Sequence, residues 1–100
     1  MQEEIRTYPL DKEMMLNVIW DMMEIQHGET IDNDIKSGRV SFRVKMYDVP
    51  SEYHFLIEEK PNGCTVSLIT NSHAGNVVRY RAFALLESLI AKPQDTAQSV

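Results

Sequence analysis

From Met14 to Ile25 the apolar residues return every three or four positions, and from Val40 to Thr70 they return every second one. The first spacing is that of an amphipathic helix and the second that of half-buried strands. Asp11 is a suitable N-cap, Met15, Val18, Ile19, Met22 and Ile25 share one face, and Gly28 suits the residue after the C-cap. The first helix is therefore expected over about 12–27. Ahead of it, residues 3–8 form a candidate strand with one good apolar position, Ile5.

After the helix come four strand patterns. Ile31 and Ile35 alternate with Asp32 and Asp34; Val40, Phe42, Val44 and Met46 with Arg39, Ser41, Arg43 and Lys45. Tyr53, Phe55 and Ile57 alternate with His54 and Leu56, and Val66, Leu68 and Thr70 with Ser67 and Ile69. Ser37-Gly38, Asp48-Val49-Pro50-Ser51 and Lys60-Pro61-Asn62-Gly63 read as the turns between them. The Ser37-Gly38 turn pairs Ile35 with Val40 and Ile31 with Val44. The next pairs Met46 with Tyr53, Val44 with Phe55 and Phe42 with Ile57. The last pairs Ile57 with Val66 and Phe55 with Leu68. All three registers put the large apolar residues on one face, and a one-residue slip would invert them.

A second helix follows, capped by Ser72 or Asn76, with Val77, Val78, Ala82, Leu85, Leu86, Leu89 and Ile90 as its stripe and an end near Ala91. Arg79 and Glu87 are expected away from that stripe. Residues 93–100 read as a disordered tail, which leaves 1–92 as a single domain. The order is (β)-α-β-β-β-β-α. One apolar sheet face and two apolar helix stripes predict an α+β two-layer sandwich, a four-stranded antiparallel meander with both helices on one face.

The segments Tyr8-Pro9-Leu10-Asp11-Lys12, Ser37-Gly38-Arg39-Val40 and Asn62-Gly63-Cys64-Thr65-Val66-Ser67-Leu68 resemble small bacterial helix–meander–helix domains of unknown function. Ser72, Gly75, Asn76, Arg79, Arg81, Leu85, Leu86 and Leu89 are similar to the loop and last helix of those domains. Over about residues 8–91 the layout also resembles a reduced helix-grip (START-like) fold. That resemblance implies an apolar ligand held between sheet and helix.

The chain has 100 residues, 10 basic and 15 acidic, for a net charge of -5. An acidic balance argues against nucleic-acid binding, where phosphate contacts supply most of the affinity. Cys64 is the only cysteine, so no intrachain disulfide forms, and a reducing, cytoplasmic setting is expected. No stretch approaches ~18 consecutive apolar residues, so no membrane span is expected.

Candidate chemistry is sparse. His27, His54 and His73 have no metal-ligand spacing, and Glu58 and Glu59 are neighbours on a strand, so they point to opposite faces. No catalytic constellation, metal or cofactor is expected. The outer sheet face, with Tyr47, His54, Leu56 and Ile69, is the candidate protein interface, and Asp32 is expected to pair with Arg43 across it. This predicts a non-catalytic protein-interaction module, homodimeric or a docking subunit. The alternative is a small apolar ligand between the Met-rich helix and the sheet, near Met15, Met22, Phe55 and Leu85. A weaker candidate is an anion site at Ser72, Asn76 and Arg79, where the second helix begins.

Overall fold

The computed structural model describes the backbone of residues 2–46, 49–70 and 75–98, and the side chains of 3–45, 51–70 and 77–91. The elements are β1 (Gln2–Tyr8), α1 (Lys12–Ile25), β2 (Glu29–Asp34), β3 (Arg39–Met46), β4 (Val49–Lys60), β5 (Gly63–Thr70) and α2 (Gly75–Gln98). The strands form one antiparallel sheet in the order β1-β5-β4-β3-β2. The α+β sandwich is as expected. The candidate strand at 3–8 is a full fifth strand, running from Glu3↔Ile69 to Tyr8↔Cys64 against β5.

Both helices lie on one face and pack chiefly on β1, β4 and β5. Val40, Phe42, Val44, Tyr53, Phe55, Ile57, Val66 and Leu68 turn inward to meet Met15, Ile19, Met22, Phe83 and Leu86. The rings of Phe42 and Tyr53 stack at 5.2 Å and those of Phe42 and Phe55 at 5.7 Å.

Local chemistry fixes the ends of α1. The Asp11 carboxylate accepts from the Met14 backbone N–H at 2.8 Å. The C-terminus differs from expectation, because His27, not Gly28, takes the left-handed conformation, at φ 55. Its N–H donates to the Glu24 carbonyl at 3.1 Å, and that of Gly28 donates to the Met23 carbonyl at 2.8 Å. These are the two bonds of a Schellman motif, with Gly28 one place further on. Glycine is required at 28 for space, since a Cβ there would lie 2.6 Å from Met23 Cγ.

The β4–β5 register matches the reading from the Lys60–Gly63 turn, with Ile57↔Val66 and Phe55↔Leu68. The β3–β4 register is shifted by four residues: Phe42 faces Tyr53, Val40 faces Phe55 and Met46 faces Val49. Pro50, read as part of a turn, lies inside β4. The described β4–β5 ladder ends at Tyr53↔Thr70, so proline's missing N–H there breaks no described ladder bond. A shift of four preserves the face of every side chain.

The β2–β3 register is shifted by two residues. Asn33 faces Val40 and Thr30 faces Phe42, with a bulge between Thr30 and Asp32. Ile35 leaves the strand for the turn, and Ile31 and Ile35 are exposed at 41% and 52%. The turn is held by Gly38, whose φ of 82 suits glycine and where a Cβ would collide with the Ile57 carbonyl oxygen.

α2 also departs from expectation. Its inward face is Val78, Arg79, Ala82, Phe83 and Leu86, while Val77 is 53% exposed. Arg79 stands one helical turn before Phe83 and so falls on the buried stripe. The helical backbone continues through Pro93 to Gln98, past the expected end near Ala91.

Candidate docking surface on the outer sheet face

With both helices on the inner face, the opposite face is covered by no described element. Its composition follows from strand alternation and register. One row across the sheet reads Glu3, Ile69, His54, Ser41 and Asp32. The next reads Ile5, Ser67, Leu56, Arg39 and Asp34. Ile5, Leu56 and Ile69 therefore lie on adjacent rows and form one apolar patch, with the small Ser67 between Ile5 and Leu56. Ile5 is 59% exposed. The sequence reading missed it because the partner of the first strand was unknown; alternation alone places it on one face or the other.

Beside the patch runs a hydrogen-bonded chain. Ser41 Oγ lies 2.8 Å from His54 Nδ1, and His54 Nε2 lies 3.2 Å from Glu52 Oε1. Glu52 Oε2 in turn accepts from Arg43 Nη2 at 3.4 Å. The two ring nitrogens of His54 thus bridge Ser41 and Glu52. Asp32 faces Ser41, not Arg43; the four-residue turn at 35–38, in place of a two-residue one at Ser37-Gly38, shifts it off the expected partner, and Arg43 faces Glu29 and Glu52 instead. A shallow cleft of about 300 Å³ opens here, lined by Asp32, Arg39, Ser41, His54, Leu56 and Ile69.

Three of the four expected interface residues, His54, Leu56 and Ile69, thus meet at one place. Tyr47 lies outside the described residues. So does Ser72 of the expected anion site, and the side chain of Asn76 is not described. Arg79, expected in solvent, is only 6% exposed, and its Nη1 donates to Thr70 Oγ1 at 3.3 Å. Of the expected ligand-lining residues, Met15 and Met22 are fully buried, Phe55 is nearly so, and Leu85 is half-buried against the core. Other clefts lie elsewhere, one of about 280 Å³ along Pro9–Asp11 and Glu59–Gly63 and one of about 400 Å³ among Lys12, Glu13, Leu16, Ile35 and Glu59.

A second polar cluster ties β1 to α2. Glu87 Oε2 accepts from Tyr8 Oη and from Arg6 Nη1, both at 2.8 Å, and Arg6 Nε donates to Glu4 at 2.7 Å. Arg6 Cζ also sits 4.5 Å from the Phe83 ring centroid. The hydrogen bonds from Tyr8 and Arg6 hold the Glu87 carboxyl below its ordinary range. Burial, then the bond to Glu87, pushes the Tyr8 phenol above its usual value. Burial also raises the Cys64 thiol, with Asp11 adding to the effect, so the buried sulfur is held as the weakly nucleophilic thiol. Among the described residues no cluster of three or more His, Cys, Asp or Glu side chains is placed to hold a metal ion. No described helix is long and apolar enough to cross a membrane.

No protein family and no curated protein matches the sequence. Solved structures do match the fold. Protein MLL2253 from Mesorhizobium loti aligns with a TM-score of 0.62 over 91% of this chain and 98% of its own, at 10% identity. Ara h 8.0201 aligns with a TM-score of 0.61 over 88% of this chain and 93% of its own, at 9% identity. The chain shares its fold with both. The two helices against one antiparallel sheet, with β1 closing beside β5, make a helix-grip layout, and at these identities the likeness concerns the fold alone.

Proposed function

We propose that this chain is a non-catalytic protein-interaction module that docks through the outer face of its sheet, with a second copy of the chain as occupant. The observation that carries this reading is the contiguous patch of Ile5, Leu56 and Ile69 beside the His54 cleft, on a face that neither helix covers. Apolar groups in one patch favour association, because burying them against a partner removes them from water. The surrounding charges are mixed. Arg39 faces Asp34, and Arg43 faces Glu29 and Glu52, so a facing copy meets no uniform charge to repel it. Closed two-fold pairs are the commonest assembly of soluble chains. A single buried cysteine fits a reducing, cytoplasmic setting.

Light scattering at two protein concentrations tests the proposal. Wild type is expected above the 11.5 kDa of one chain, and Leu56→Asp or Ile69→Asp is expected to lower the mass with the circular dichroism spectrum unchanged. A mass of one chain at both concentrations, or a mass indifferent to both substitutions, overturns it.

A further inference from the structure

The two edges of the sheet are built differently. β2 reads Glu29-Thr30-Ile31-Asp32-Asn33-Asp34, three acids and no base. Two such strands side by side would set acid near acid, a common protection of an open edge. β1 reads Gln2-Glu3-Glu4-Ile5-Arg6-Thr7-Tyr8 and pairs along its whole length with β5, and among the described residues no strand pairs with its other side. Its charges complement themselves. In an antiparallel pair of β1 strands centred on Ile5, Glu4 of each copy faces Arg6 of the other, Glu3 faces Thr7, and Ile5 faces Ile5. Glu4 and Arg6 already share the inner side of β1, within 2.7 Å of each other, and both are about one-third exposed. α2 grips β1 from that inner side, through Glu87 and Phe83, and not from the edge.

We infer that β1 is a self-pairing edge, to which a second copy of this chain adds in antiparallel register about Ile5. The added strand satisfies the open backbone groups of both edges and makes one continuous sheet. The contact goes beyond outer-face docking and does not depend on it. Ile5 serves both surfaces, whereas Glu4 belongs to the edge and Leu56 to the face.

Cysteine cross-linking under mild oxidation tests the register. Ile5→Cys is expected to give a disulfide-linked dimer, and so is the double variant Glu3→Cys/Thr7→Cys. Glu3→Cys alone, Thr7→Cys alone and wild type, whose Cys64 is fully buried, are expected to stay unlinked. Failure of Ile5→Cys to link, or equal linking by all three single variants, overturns the inference. Glu4→Lys sets like charges opposite one another on both sides of the two-fold axis, so the dimer dissociation constant should rise roughly tenfold. An unchanged constant in a folded Glu4→Lys variant also counts against it. Adding Leu56→Asp to Ile5→Cys separates the two contacts. If linking persists, the edge stands whatever becomes of the face. If Leu56→Asp lowers the wild-type mass while Ile5→Cys never links, the face stands and the edge falls.

Discussion

β1 and β2 occupy equivalent places at opposite edges of one sheet, and their sequences suggest the reverse of their structural roles. The 31–35 stretch alternates two isoleucines with acids, yet only Ile31 lies in β2, Ile35 falls in the turn, and every residue of β2 is exposed. β1 has a single isoleucine, which points outward, yet it is fastened from the inside by Tyr8, Arg6, Glu87 and Phe83. The difference follows from where the helices lie. α1 and α2 rest over β1, β5 and β4, and β2 extends beyond them. A strand buries what its neighbours cover, whatever its own hydrophobic content.

The sharpest way to break this contrast is at the centre of the β1 anchorage. Phe83→Ala empties a fully buried ring site and removes the surface on which Arg6 lies, and should cost about 3–5 kcal/mol in denaturant unfolding. On the β2 side, Gly38→Ala forces a positive φ on alanine and drives its Cβ toward the Ile57 carbonyl. A loss of about 2 kcal/mol or more is expected by the same measurement.

Tyr8→Phe keeps the ring and removes the bond to Glu87, for a loss of about 1 kcal/mol near neutral pH. It should also change the pH profile of thermal unfolding. Because the Tyr8 phenol is raised above the ordinary tyrosine value of 10.0, its contribution is complete below pH 10 and is lost as the pH climbs through the folded value. The variant should flatten that alkaline limb, leaving the part due to Tyr53, which burial also raises. Glu87 is shifted the other way. Its contribution is present above 4.5 and lost as the pH falls through its lowered value, so Glu87→Gln should remove part of the acid limb.

Smaller effects sharpen the picture. His27→Gly relieves a side chain in the left-handed region at the turn into β2 and should stabilise by about 0.5–1 kcal/mol. Ile31→Lys and Ile35→Lys should each change stability by less than about 0.5 kcal/mol, since both side chains already face water. A loss of several kcal/mol at either would mean that β2 is covered after all.

Legibility in the sequence follows the same contrast. The faces of β3, β4 and β5 were readable because side-chain direction has a period of two, and even a register error of four residues leaves it intact. The β4–β5 pairing was readable because Lys60-Pro61-Asn62-Gly63 is a tight turn whose chemistry fixes its length. The outer-face residues His54, Leu56 and Ile69 were found by that pairing. Ile5 was not, because its place in the patch depends on β1 lying beside β5, a contact between residues more than sixty positions apart. Arg79 was read as a solvent group by its charge, although its position four before Phe83 puts it on the buried stripe.

By itself the sequence determined the element types, their order and the inward face of the central strands, because helix caps, turns and alternation act within a few residues. Only the tertiary structure decided which edge the helices cover, where β2 pairs, that β1 closes the sheet beside β5, and that Arg79 is enclosed. Those outcomes depend on how two helix stripes are shared among five strands, and burial of that kind is settled by the assembled layers rather than by any one segment.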